Sequence, residues 1–344
     1  KVMAEIIIND ISKQLGISPA TVAMALKERA GVNAQTKERV LKLVRKLNYT
    51  GSTGGKKNTV AQGVISLLVY KRHGRVLTDT QFFTDLMESV ERAARSFQYT
   101  LTLTYCTGRE NLLQSIASVS AVQPIGLLLL GTEMTEEDLS AFEKLSLPIV
   151  VIDADIYGCD FDTVTIHNED GVWRAMQYLC QQGHRDIGYL RSSYAIRNFE
   201  QRLQSYEAYR RQYCDEAASE KRIFMVEPSL EGAQADIMEL LEQGVRFPQA
   251  LLADNDLIAL GAMRAFSKKG IRIPEDVSII GFDDIPMAGF FEPPLTSVLV
   301  SRDELGSAAV QQLIWRCQNK KASPRRFSIG TRLMERNSVK HLEK

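Results

Sequence analysis

The sequence predicts a small all-α helix-turn-helix headpiece followed by an α/β body of two Rossmann-like, parallel-sheet lobes. Three observations carry this. Positive charge is concentrated in the first sixty of 344 residues. A helix, a glycine turn and a second helix can be traced within twenty residues of that stretch. From Val64 onward, short apolar runs alternate with amphipathic stretches of helical period, the pattern of parallel sheets flanked by helices.

The whole chain is neutral, with 42 basic and 42 acidic residues, but residues 1–60 hold eleven Lys and Arg against Glu5, Asp10, Glu28 and Glu38. That unit is +7, so the remainder is −7. A basic unit on an acidic body suits a module that binds a polyanion, with a merely solvated charged face as the alternative. The longest apolar runs, 64–70 and 125–130, are strand-sized, which argues against a membrane span. No basic stretch followed by an apolar segment and a small-residue cleavage pattern opens the sequence, so a cytoplasmic location is expected. The cysteines Cys106, Cys159, Cys180, Cys214 and Cys317 are odd in number and far apart. They fit neither a disulfide framework nor a paired metal spacing.

In the first fifty residues three short helices are expected. Asp10 opens the first, with Ile8, Ile11 and Leu15 at helical spacing, and Gly16 ends it. Ser18 caps the second, and Pro19 takes its first position, where a missing N–H costs nothing. That helix runs to about Lys27 with Val22 and Leu26 inward. Asn33 caps the third, which buries Val40, Leu41, Val44 and Leu47. Two helices so joined in a basic unit can lay one of them in the major groove of DNA. Residues 51–63, with Gly51, Gly54, Gly55, Lys56 and Lys57, read as a flexible basic linker, since each glycine opposes helix by about 1 kcal/mol relative to alanine.

In the body, strands are expected near 64–70, 99–105, 125–130 and 148–152, then near 186–190, 222–227, 250–253 and 277–282. Helices fall between them at 82–97, 109–121, 171–182, 231–242 and 256–269. Two sets of four strands make two lobes, and ligands of such lobes bind at the carboxyl ends of the strands. Asp283 ends one strand and Asp153 another. An acid there can accept hydroxyl hydrogen bonds from a polyol; a helix cap or a surface ion pair is the bland alternative for each. Lys71, Arg72, Arg191, Arg197 and Arg302 fall in loops that can face a cleft, where they suit an anionic ligand or are simply solvated. His184, between a helix end and a strand, is expected to hydrogen-bond carbonyls. The acid pairs Asp153/Asp155, Asp254/Asp256 and Asp283/Asp284 have no histidine at metal-ligand spacing, and neither a nucleophile motif nor a phosphate loop appears. No metal, no cofactor and no catalytic residues are expected.

The run from Ile8 to Lys27 (INDISKQLGISPATVAMALK), then Val32–Val40 (VNAQTKERV) and Leu47–Tyr49 (LNY), resembles the headpiece of the lactose/galactose repressor family. The resemblance implies that Pro19, Ala20 and Met24 face base edges, while Thr21, Lys27, Asn33 and Thr36 lie at phosphates. Met24 stands where that family usually has arginine and Ala23 where it has serine, which removes the bidentate partner of guanine. Affinity then leans on phosphate contacts. The linker also departs, because the family's hinge helix and its leucine wedge are replaced by glycines, with Asn58 near the leucine position.

The body resembles the same family's core, a periplasmic-binding-protein-like pair of lobes. The matching stretches are 182–190 (QGHRDIGYL), 253–264 (ADNDLIALGAMR), 273–284 (IPEDVSIIGFDD) and 293–297 (PPLTS). The resemblance implies three crossings between lobes, with lobe 1 at about 64–162 and 295–322 and lobe 2 at about 163–294 and 323–344. It implies that Asp283, Asn255 and Arg202 hold an effector, with Asp153 on the same side. Arg302 falls where an apolar or aromatic cleft residue is usual. The expected protein is a homodimeric regulator, a repressor, whose affinity for operator DNA is set by a small molecule, a sugar or sugar derivative. A dimer follows because such headpieces bind two half-sites; its candidate surface is the stripe Phe82, Phe83, Leu86 and Val90 with the pair Phe290 and Phe291. The alternative for the stripe is burial against its own sheet, which must claim about half of it. The rival reading is a two-lobed binding protein or enzyme with a degenerate headpiece.

Overall fold

The computed structural model describes residues 12, 15–26, 32–33, 35–40, 62–77, 81–213 and 222–342. Lys1–Val60 and Ala61–Lys344 are separate compact units.

In the first unit, α1 covers Pro19–Leu26. Ser18 caps it as expected: its Oγ accepts the Thr21 N–H at 3.1 Å. Gly16 takes the left-handed conformation that ends the preceding turn, with φ +66°, and Val22 and Ala25 are buried. A further helical stretch spans 35–40, capped by Asn33, whose Oδ1 accepts the Thr36 N–H at 2.7 Å. Val40 is buried beneath it. Lys27, Leu41, Val44, Leu47 and the linker through residue 61 lie outside the described residues.

The second unit holds two six-stranded sheets. Lobe 1 is built from β1 (Val64–Lys71), α2 (Gln81–Ser96), β2 (Thr100–Thr107), α3 (Leu112–Ala121), β3 (Gly126–Leu130), α4 (Glu136–Ser140), β4 (Ile149–Ile152) and β5 (Asp162–Ile166). Lobe 2 follows with α5 (Asn168–Gln181), β6 (Ile187–Ser192), α6 (Arg197–Tyr213), β7 (Ile223–Val226), α7 (Leu230–Glu242), β8 (Ala250–Ala253), α8 (Asp256–Lys268), β9 (Ser278–Asp283) and β10 (Thr296–Val300). The chain then returns to lobe 1 for α9 (Arg302–Gln318) and β11 (Arg326–Ile329), and ends in lobe 2 with β12 (Thr331–Met334).

The orders are β11-β5-β4-β3-β1-β2 and β12-β10-β9-β8-β6-β7. Every pairing is parallel except β10 with β12. Central strands such as β3, Gly-Leu-Leu-Leu-Leu, are buried on both faces, which is why they read as unbroken apolar runs. No helix among the described residues is long and apolar enough to cross a membrane.

Two expectations change. Each sheet has six strands rather than four, because β5 (DTVTI), β10, β11 and β12 are short, Thr- or Arg-bearing segments with no strong apolar signal. The crossings also shift. They were expected near 162, 294 and 322, but β5 and β11 pair in lobe 1 and β10 in lobe 2. The chain crosses at His167, Ser301 and Gly330, one residue each.

The proposed dimer stripe is core instead. Phe82, Phe83, Leu86 and Val90 are all buried, because α9 packs along α2. The approach is close enough that a Cβ on Gly306 would lie 2.6 Å from Ser89 Oγ. Phe290 is 88% exposed, whereas Phe291 packs on the core beside the Arg264 guanidinium.

Candidate functional site

The carboxyl ends of both sheets meet around a small cavity of about 20 Å³, lined by Asp153, Asn198, Arg202, Asn255 and Asp283 with Phe82, Phe83 and Phe199 among the apolar walls. It is room for about one water. A wider recess of about 660 Å³ opens beside it, between Arg72, His73 and Tyr157 of lobe 1 and Tyr194, Arg197 and Glu200 of lobe 2.

Arg202, on α6, is 2% exposed. Its Nε donates to Asn168 Oδ1 at 2.8 Å, and Nη1 to the Asp254 carbonyl at 2.5 Å. Nη2 lies 3.5 Å from Asp283 Oδ1, and the guanidinium lies flat over Phe282, 3.6 Å from the ring centroid. Gly171 permits this arrangement. A Cβ there would lie 2.7 Å from the Phe282 ring, so only glycine lets α5 seat against it.

A relay of amides joins this cation to the other lobe. Asn168 Nδ2 donates to Asn198 Oδ1 at 3.0 Å. Asn198 Nδ2 then donates to Asp153 Oδ1 at 2.8 Å, and Thr132 Oγ1 donates to Asp153 Oδ2 at 2.6 Å. Chains of this kind polarise one another in a low-dielectric interior.

Both acids end strands with unusual backbones, φ +62° at Asp153 and +104° at Asp283, conformations sparsely populated outside glycine and found at sites that aim a side chain. Burial pushes the Asp153 carboxyl up to about 6 against the Thr132 and Asn198 hydrogen bonds that lower it. Burial likewise raises Asp283 to about 6. Arg202 opposes the rise, and the charge of Asp153 across the cavity adds to it.

Asp254, raised to about 7 by burial, accepts the Tyr189 hydroxyl and the Ser192 N–H at 2.6 Å each and ties β6 to β8. Asp256, pushed well up by burial, is likewise saturated by Ser297 and the Ile285 N–H.

Asn255 lines the cavity and is also the cap of α8, its Oδ1 accepting the Ile258 N–H at 2.9 Å. Arg302 stands apart from the cavity lining. Its Nη1 donates to the Asp283 carbonyl at 2.7 Å and its Nε lies 3.4 Å from Asp85 Oδ2, so it braces α2 of lobe 1 against the end of β9. Of the cations expected in loops, Lys71 ends β1, Arg191 lies in β6 and Arg197 opens α6. Arg191 pairs with Glu200, Lys71 lies over Tyr105, and Arg197 over Tyr157 at 4.4 Å. His184 Nε2 meets the Lys340 carbonyl at 3.0 Å, as its place in the chain suggested.

Asn168, Asn198 and Thr132 were not picked out by sequence, nor was Glu133. The buried Glu133 carboxylate accepts the N–H groups of His73, Gly74, Val76 and Leu77 and so shapes the loop after β1. The only hint was position: Thr132 and Glu133 follow β3 as Asp153 follows β4.

On the headpiece, Pro19 and Asn33 are exposed, while Thr21, Met24 and Thr36 are half-buried. Ala20 lies within α1. The acids and cation of the cleft can exchange hydrogen bonds with hydroxyls, and the phenylalanines offer flat apolar faces.

Residues 7–52 match the family described as bacterial regulatory proteins, lacI family, and residues 176–339 a periplasmic binding protein-like domain. The ribose operon repressor of Haemophilus influenzae is 30% identical over 344 residues, covering 97% of this chain and 98% of its own. Among solved structures, a transcriptional regulator CelR–cellobiose complex superposes with a TM-score of 0.69 at 25% identity, over 96% of this chain and 99% of its own. A lac repressor dimer bound to operator and the anti-inducer ONPF gives a TM-score of 0.71 at 21% identity, over 96% of this chain and 98% of its own, a likeness of fold. Identity and coverage of this extent, with the headpiece match, assign the family: the chain belongs to the lacI family of bacterial regulatory proteins.

Proposed function

We propose that the chain is a homodimeric transcriptional repressor of the cytoplasm, whose headpiece binds operator DNA and whose interlobe cleft takes a sugar or sugar derivative that sets that affinity. One observation carries the reading. Asp153 of lobe 1 and Asp283 of lobe 2 approach the same cavity closely enough for one charge to raise the other's pKa, with Arg202 beside them. Like charges on two lobes resist closure, and a ligand whose hydroxyls donate to both removes that resistance. Differential affinity for the closed arrangement is what couples a ligand to a second site.

The cellobiose-bound regulator and the ribose operon repressor make a carbohydrate the favoured effector class. Pro19, Ala20, Thr21, Met24, Lys27, Asn33 and Thr36 would meet DNA, chiefly at phosphates. Asp153, Arg202, Asn255 and Asp283 would meet the effector, with Arg302 positioning the end of β9. Sugars, sugar acids and sugar phosphates are to be screened by thermal shift, followed by calorimetry and operator binding with and without the best ligand. A ligand that binds only the native state raises stability with the logarithm of its concentration over Kd. The reading fails if operator affinity is indifferent to every ligand that binds, or if binding survives Asp283→Asn unchanged.

A further inference from the structure

We propose that lobe 1 carries its own contact for the DNA backbone, the loop 319–325 between α9 and β11, which grips phosphates of the duplex flanking the headpiece's site. This rests on the DNA-binding reading above. Lys320, Lys321 and Arg325 are all exposed, and none has a carboxylate at ion-pair distance among the described residues. Arg326, the next cation, is instead tied to Asp155 at 2.6 Å. Three unneutralised cations within six residues stand out on a body whose net charge is −7.

The loop is rigid for its size. Asp162, buried beneath it, accepts Gln312 Nε2 at 2.6 Å, Arg316 Nη2 at 2.5 Å and the Arg325 backbone N–H at 2.7 Å. Arg316 also donates to the carbonyls of Ala322 and Ser323, at 2.6 and 2.9 Å. The Arg325 guanidinium lies over Trp315, 3.3 Å from the ring centroid, and the residue remains exposed. Lys320 and Lys321 line a groove of about 510 Å³ beside it. The loop backbone and the Arg325 side chain are thus held in place before any partner arrives, which lowers the ordering cost of binding.

Position selects the partner. Sheet 1 is parallel, so its amino ends share one rim, and α9 runs back to that rim. Cys317 Sγ lies 3.3 Å from the Ile125 carbonyl, and Ile125 N–H donates to the Val64 carbonyl at 2.8 Å. Val64 begins β1 immediately after the linker. The loop therefore sits on the rim where the chain arrives from the headpiece. Residues 51–61 span at most about 40 Å at ~3.5 Å per residue, a tether that allows DNA carried by the headpiece to reach this rim. Duplex DNA offers about one charge per 1.7 Å along its axis.

The test uses the full chain and a duplex selected from a random library by the wild-type protein, in a trimmed form and in one with about 20 extra base pairs on each side. Affinity is measured across a salt series for wild type, for Lys320→Gln/Lys321→Gln/Arg325→Gln, and for the charge-keeping Lys320→Arg/Lys321→Arg. Each lost phosphate contact flattens the slope of log K against log salt by about 0.9. A dimer losing six such contacts flattens it by about 5 on the flanked duplex, with sequence preference unchanged, while the arginine variant keeps the wild-type slope. Equal slopes for wild type and the glutamine variant on the flanked duplex overturn the proposal. So does an unchanged slope combined with loss of stabilisation by pyrophosphate, which would make the loop a small-anion site. If the wild type binds no duplex, the regulatory reading itself falls.

Discussion

Arg202 is fixed on every side, by Asn168, the Asp254 carbonyl, Asp283 and the Phe282 face. Residues so held cannot be treated as ligand contacts alone. Replacing Arg202 with Ala strips the half-buried Asp283 of its ion pair and removes the donors to Asn168 and the Asp254 carbonyl. Breaking a fully buried pair costs about 3–5 kcal/mol, an upper bound here. We therefore expect Arg202→Ala to lower the melting temperature as well as abolish the effector response. Asp283→Asn keeps the shape and loses the charge. It should reduce effector affinity about thirtyfold or more, in line with about 2–5 kcal/mol for a lost charge-assisted partner. Calorimetry with a near-normal melting temperature checks this, and unchanged affinity would remove Asp283 from the site. At the other end of the chain, Met24→Arg restores a bidentate donor on α1. It should tighten binding by about 1–3 kcal/mol to sites bearing guanine at the matching position, and a binding selection that returns the wild-type preference would refute the placement of that helix.

Elements differ in how plainly they were written in the sequence. Those with a two-sided burial or a clean cap were legible: β3, β4, β8 and β9 as apolar runs, and α1 from Ser18 and Pro19. The helices α6 and α9 were not, because their faces mix charge and apolar groups: α6 buries Asn198 and Arg202 alongside Phe199 and Leu203. α9 buries Gln312 among Leu305, Val310 and Leu313. The same mixture hid the site's amides, since Asn168 and Asn198 matter only through partners distant in sequence. Two strand-end acids, by contrast, were visible from position alone. Missing α9 also misplaced the dimer surface, for without it only about half of the α2 stripe was expected to be covered, by its own sheet. Apolar side chains remain exposed on edge strands: Leu103 and Tyr105 on β2, at 47% and 52%, and Met225 on β7. Open strand edges are templates for association. Leu103→Asp/Tyr105→Asp should shift the protein from dimer to monomer in sedimentation and weaken operator binding. A double variant that stays dimeric at nanomolar concentration would place the interface elsewhere.

Across the whole molecule the buried acids set a pH response. Asp153 and Asp283 titrate at about 6 and Asp254 at about 7 in the fold, above the ordinary 3.8. The folded chain thus keeps protons that the unfolded chain has released. From these groups stability is greatest below about pH 4 and declines as pH rises through 6 and 7. A polyol that donates to the ionised carboxylates opposes this, so its affinity should rise between pH 5 and 7. Melting curves against pH, with and without ligand, read both effects. If Asp153→Asn/Asp283→Asn shows the wild-type slope, the acids are not its source.

His167, Ser301 and Gly330 carry the three strands of chain between the lobes, one residue each, and Asn168 and Arg302 adjoin two of them. Tethers this short and this close together forbid stretching and leave a pivot. The cavity, with room for about one water, lies near the pivot, so opening it to a ligand is a small motion there compared with the motion at the far rim. The far rim of lobe 1 lies at the other end of α9, about 25 Å away at 1.5 Å per residue. A turn of about 10°, within the range of known switching rotations, sweeps that rim through an arc of about 4 Å. The short arm of this lever holds the acids and the long arm holds the start of β1 and loop 319–325, so sub-ångström adjustments around a small molecule arrive at the rim as a shift comparable to the spacing of phosphates along DNA.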